Sequence, residues 1–206
     1  MREDDTYNLI EAADAGDAAL VQQYIPNANV ATQGNRALRC AVRKGHNACI
    51  VLLLPASNLH DDVAYENLII QSIENGHIDC MKTLLLYPHL EFNPYLSVMY
   101  YIMCAVRNKQ VDIVRFLMPL ALDKISQDER YSYKLLQYSI VQPHEEMFNE
   151  LLTISNPQLA WDDLQNQGYT QEQCFLVVDH LKRLEEHKNI SDAIETNRPP
   201  ASSRKL

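Results

Sequence analysis

Two short spacings in the sequence could hold a metal ion. His46 and Cys49, and again His77 and Cys80, stand three residues apart, close enough to share a helix face and to present imidazole and thiolate, the usual zinc donors. Neither pair has a third or fourth donor nearby, and equivalent positions of separate segments lie far apart compared with zinc bonds of roughly 2 Å. Free cysteine usually behaves as a small buried hydrophobe. The expectation is therefore no metal and no cofactor. Covalent catalysis would need a nucleophile beside a positioned base. Five cysteines and seven histidines offer nominal pairs, but none stands in a strand-turn-helix context. No glycine-rich phosphate loop and no His-Glu-x-x-His helix occurs. Asp61 and Asp62 in "NLHDD" read as solvated loop acids rather than opposed carboxylates. No catalytic residue is assigned, and no enzyme is expected.

Composition narrows the remaining classes. With 206 residues the chain makes one globular domain or one short repeat array. A net charge of −9 opposes the attraction to phosphate on which nucleic-acid binders rely, so neither DNA nor an anionic membrane is the expected partner. The start "MREDDTYNLIEAADAG" turns acidic at once, unlike a secretory signal. The apolar run "LSVMYYIMCAV" (96–106) is shorter than the roughly 20 residues of a spanning helix. An odd number of cysteines without Cys-x-x-Cys suits reduced thiols in the cytoplasm. Five glycines are too few for a turn-rich all-β protein.

The elements that carry the His-Cys pairs recur. A series of first helices reads "LIEAADAG" (9–16), "LRCAVRKG" (38–45), "IIQSIENG" (69–76), "IMCAVRNK" (102–109) and "LQYSIVQP" (136–143). Each precedes a second helix: "DAALVQQYI", "HNACIVLLL", "HIDCMKTLLL", "QVDIVRFLM" and "HEEMFNELL". The turn falls at Gly16, Gly45, Gly76, Lys109 and Pro143, spaced 29, 31, 33 and 34 residues apart. That is the period of a helical solenoid. Ala12, Ala41, Ser72, Ala105 and Ser139 give every first helix a small residue for close approach. Pairs such as Leu20-Val21 and Cys49-Ile50 are expected to face the stack. Units of this kind bury their apolar faces only against one another. Gly16, Gly45 and Gly76 supply the positive φ that ends a first helix, and the following His46, His77 and His144 can bond a neighbouring carbonyl.

The segment "GNRALRCAVRKGHNACIVLLL" (34–54) resembles the ankyrin repeat, with Leu38, Ala41, Gly45, His46, Ile50 and Leu52 to Leu54 in register. The preceding "NANVATQ" (27–33) is similar to the family's finger. The likeness spans roughly 9–152. It departs from the family where Arg36-Ala37, Asn67-Leu68 and Tyr100-Tyr101 replace Thr-Pro, where Lys109 replaces a turn glycine, and where Pro143 cannot take positive φ. Asn35 or Asn67 is expected to cap in place of the missing threonine. The implied fold is an all-α solenoid: a polar cap at 1–8, about five repeats over 9–156, a helical cap at 157–188 and a disordered tail at 189–206. Within the cap, "WDDLQNQG" (161–168) and "TQEQCFLVVDHLKRLEEHK" (170–188) read as helices. Thr170 and Gln173 form a capping box, and Phe175, Val178, Leu181 and Leu184 form the stripe that covers the last repeat.

Such arrays resemble curved scaffolds that hold a partner protein on the concave side. Carried over by position, the resemblance selects Arg43, Lys44, Glu74, Asn75, Arg107 and Asn108 before the turns, with Asn35, Tyr65, Glu66, Met99 and Tyr100 from the preceding positions. Tyrosine and arginine are enriched among residues that dominate interface energy. The alternation of charge across units suits a mixed-charge peptide or protein surface. The implied function is a monomeric, non-catalytic scaffold or adaptor in the cytoplasm. The alternatives are an inhibitor of a bound enzyme, or a bacterial effector acting in the host cytoplasm with "RLEEHK" as part of an export signal.

Overall fold

The computed structural model describes residues 3–59, 62–87, 94–127, 129–141 and 143–196. Helices alone make up the regular structure of the described residues, and the chain divides into compact units at Ser126 and Gln127. The expected block of five repeats is thus divided, its fifth hairpin grouping with the C-terminal helices.

The first unit holds α1 (Glu3–Ala15), α2 (Ala18–Tyr24), α3 (Thr32–Lys44), α4 (Asn47–Leu53), α5 (Asp62–Glu74), α6 (Ile78–Leu85), α7 (Pro94–Arg107) and α8 (Val111–Gln127). First helices α1, α3, α5 and α7 pack side by side in one layer; α2, α4 and α6 form a second. Of the residues expected as a separate polar cap, 3–8 instead form the first turns of α1.

The turns explain the period. Gly16, Gly45, Gly76 and Lys109 have φ of 77°, 79°, 73° and 59°. The next N–H in each case donates to the carbonyl of Ala12, Ala41, Ser72 or Ala105 at 2.8–2.9 Å, which satisfies a carbonyl that the helix end would leave open. Those small residues are all buried. Within each second helix Val21, Ile50, Met81 and Val114 are fully buried. Leu20 is not: at 38 % exposure it turns away from the stack that it was expected to face.

Successive hairpins are tied by their turns. His46 Nε2 lies 3.1 Å from the Asp14 carbonyl, and His77 Nε2 lies 3.1 Å from the Arg43 carbonyl. Each imidazole rests where the Cβ of the previous unit's turn residue would be. A Cβ on Gly16 would meet His46 Nδ1 at 2.6 Å, and one on Gly45 would meet His77 Nδ1 at 2.7 Å. Gln110 takes this place over Gly76, at 2.7 Å. These turns need glycine both for φ and for room.

The second unit holds α9 (Glu129–Val141), α10 (Glu145–Leu152), α11 (Pro157–Asn166) and α12 (Phe175–Thr196). His144 caps α10, its Nδ1 accepting from the Met147 N–H at 3.2 Å. Asn156 caps α11 by accepting from Gln158 and Leu159 N–H, and the helix starts at Pro157, four residues before it was expected to begin. The Gln137 amide joins α9 to the Ala160 carbonyl and the Asp163 carboxylate on α11. Ahead of α12, Thr170 N–H donates to Gln173 Oε1 and Gln173 N–H to Thr170 Oγ1, a reciprocal capping box. The buried face of α12 is rotated from the expected one: Cys174 and Val177 are fully buried, while Phe175 and Leu184 stand 52 % and 49 % exposed. The helix also runs on to Thr196, where a tail from 189 was expected; residues 197–206 lie outside the described residues.

Candidate protein-binding face

The exposed side of the first-helix layer in the first unit is built by register. Shifting α3 by the repeat spacings aligns Tyr7, Arg36, Asn67 and Tyr100 in one row, Glu11, Cys40, Gln71 and the buried Cys104 in a second, and Asp14, Arg43, Glu74 and Arg107 in a third. The apolar residues of these helices point the other way. On α5 the buried set is Tyr65, Leu68, Ile69, Ser72 and Ile73, a helical stripe at i, i+3, i+4, i+7 and i+8.

The third row alternates acid and base along consecutive helices. Arg43 Nη2 donates to Asp14 Oδ1 at 3.0 Å, with both side chains well exposed, so the pair orients two groups more than it stabilises the fold. At the other end Tyr100 is half exposed. The neighbouring Cys104 pushes the Tyr100 hydroxyl up, Glu74 adds to this and Arg107 opposes it, which groups the four around one patch. Lys44, Asn75 and Asn108 follow the row and are exposed.

Four residues expected on this face are placed otherwise. Tyr65 is 1 % exposed and its hydroxyl donates to the Leu84 carbonyl; burial pushes that hydroxyl far above the usual tyrosine range, with Tyr87 adding to the effect. Asn35 is buried, with φ of 58°. Its Nδ2 donates to the Asn58 carbonyl at 2.6 Å while its Oδ1 accepts from the Asn58 N–H at 3.0 Å. It therefore clamps the following loop and caps nothing with its side chain: Gln33, Gly34 and Asn35 all take left-handed φ/ψ, so the right-handed turns of α3 begin only after Asn35. Glu66 and Met99 share the register of Asn35 and are only partly exposed, off the open rows.

A model of ankyrin repeats in three copies matches residues 9–97. These residues are ankyrin repeats. The fold of the chain is similar to that of a solved structure, the human ASB11 ankyrin repeat domain, at 21 % identity and a TM-score of 0.53, covering 72 % of this chain and 68 % of that one. No curated protein matches the sequence. Ankyrin repeats are general protein-interaction modules and typically non-catalytic.

Within the repeats the His-Cys pairs do not converge. The imidazoles of His46 and His77 serve the inter-repeat bonds, while Cys49 and Cys80 are buried in the core. Burial pushes the Cys80 thiol up to about 11, with Asp79 adding to it, and likewise raises Cys49, Cys104 and Cys174. Among the described residues no group of three or more His, Cys, Asp or Glu could hold a metal ion, and no helix is long and apolar enough to cross a membrane. Asp61 lies outside the described residues. The residues that sequence reasoning missed are Arg36, Arg39 and Gln71. Arg36, Arg39 and Arg43 follow one another at i, i+3 and i+7 on α3, a spacing that would have shown them as one charged helix face.

Proposed function

We propose that the chain is a non-catalytic adaptor that binds another protein through the exposed face of its first helices, where the family's concave side is expected. The carrying observation is the open set of rows ending in exposed aromatics, Tyr7 at 63 % and Tyr100 at 50 %, with Arg43, Glu74 and Arg107 between them. Large amphipathic tyrosines flanked by arginines are the side chains that anchor interfaces. The alternating signs favour a partner surface of mixed charge over a polyanion. The five cysteines are all free, which suits a reducing compartment such as the cytoplasm.

The test is affinity capture with the full chain and with an Arg43→Glu, Lys44→Glu, Arg107→Glu variant. Loss of a captured partner at unchanged melting temperature is expected; recovery of every partner by the variant rejects the reading. Adding the purified protein to an assay of the partner's own activity then separates an adaptor, which leaves turnover unaltered, from an inhibitor.

A further inference from the structure

A chain with net charge −9 concentrates three arginines on one short helix face. Arg36, Arg39 and Arg43 of α3, with Gln33, Cys40 and Gln71, line a cleft of about 420 Å³. A second cavity of about 400 Å³ lies against it, sharing Arg39 and Gln71 and reaching Gly34, Asn67 and Leu59. Arg39 thus stands between the two, its Nη1 3.9 Å from where a Cβ on Gly34 would sit.

The three guanidinium groups are answered unequally. Arg43 has the Asp14 carboxylate. Arg36 Nη1 donates to the neutral Gln33 Oε1 at 2.8 Å. The Arg39 guanidinium makes no hydrogen bond or ion pair with any described residue. An unanswered guanidinium flanked by an amide and a second, uncompensated guanidinium is a receptor for a planar anion, because its forked donors match a carboxylate bidentately.

We propose that this cleft takes the carboxylate side chains of an acidic, extended segment of the partner protein. The inference rests on the face proposed above and names what that face recognises. Spacing supports it: Arg36 to Arg39 to Arg43 rise about 4.5 Å and 6 Å along α3, while alternate side chains of an extended peptide repeat about every 6.8 Å. Two acidic residues at i and i+2 can therefore each reach a guanidinium. A nucleic acid fits less well, since its continuous phosphates would run past Arg43 onto Asp14 and Glu74, and the overall charge repels it.

The experiment uses the full chain and a fluorescein-labelled peptide with three glutamates at alternate positions, read by anisotropy. Comparison peptides carry glutamine or lysine at those positions, and a labelled oligothymidylate serves as polyanion. Wild type is expected to bind the glutamate peptide, at least tenfold more tightly than the glutamine peptide and more weakly as salt rises. Arg39→Glu should lose at least tenfold with unchanged circular dichroism and melting. Arg115→Glu, an equal charge reversal at an exposed position of α8, should bind as wild type does. Arg39→Lys should fall between, keeping charge without the fork. No binding of the glutamate peptide, equal binding by Arg39→Glu and Arg115→Glu, or equal binding of the oligothymidylate overturns the inference. Failure here while a captured partner still depends on Arg43, Lys44 and Arg107 sinks the acidic-segment inference alone; capture indifferent to those three sinks the face itself.

Discussion

Replacing Gly45 with alanine tests the architecture at one atom. The residue holds φ of 79°, where an L side chain costs about 1–2 kcal/mol. The added methyl would stand 2.7 Å from His77 Nδ1 and 2.8 Å from its Cε1, so the ring must leave and with it the 3.1 Å bond to the Arg43 carbonyl, worth about 0.5–1.5 kcal/mol. The sum is a destabilisation of about 1.5–3.5 kcal/mol. Urea unfolding followed by circular dichroism at 222 nm measures it. The steric part is isolated by repeating the substitution in a His77→Ala background, where only the backbone cost remains; the two costs should differ by about 1 kcal/mol. Equal costs in both backgrounds, or a cost below about 0.5 kcal/mol in the first, would refute the reasoning that turn and ring share one space.

Other substitutions follow from the same geometry. Lys109→Gly removes a Cβ from a φ of 59° and should stabilise the fold by about 0.5–1 kcal/mol in the same assay. Tyr65→Phe deletes a buried donor to the Leu84 carbonyl and should cost about 1 kcal/mol, without affecting partner capture once the protein is folded. In native protein a thiol reagent should titrate one cysteine quickly, Cys40, since Cys49, Cys80, Cys104 and Cys174 are buried; the other four should react only on unfolding. Because the Cys80 pKa is raised on folding to about 11, its neutral form is favoured in the core. Its contribution is whole below the ordinary thiol pKa and is lost as pH climbs from there through about 11. The urea midpoint should fall between pH 8.5 and 11, and fall less steeply in Cys80→Ala.

Much of the fold is legible in the sequence because the turns are local. A glycine after a helix and a small residue four places earlier are dictated by the chain's own hydrogen bonds, and Gly16 with Ala12, Gly45 with Ala41 and Gly76 with Ser72 write that rule three times. Tyr65 was misplaced for a different reason. Its hydroxyl suggests surface, yet its spacing to Leu68, Ile69, Ser72 and Ile73 already sets it on the buried stripe. The face of α12 was misjudged by about one residue because Cys174 was not counted as apolar; with it, Cys174 and Val177 define the inner side. Asn35 could not be read at all, since both its bonds go to Asn58, 23 residues away. The cleft on α3 is intermediate: the arginine spacing is visible in the sequence, but that Asp14 answers only Arg43 depends on the neighbouring helix.

The flat groups laid over the turn glycines have a consequence for how these repeats can change. Histidine at 46 and 77 and glutamine at 110 have different chemistry but a common planarity, and each fills the notch left by a missing Cβ in the unit before it. Glycine and lid are thus a lock spanning two units. Mutational drift should be ordered in time: the lid must shrink before its glycine can be exchanged, and the opposite sequence of steps passes through a misfit.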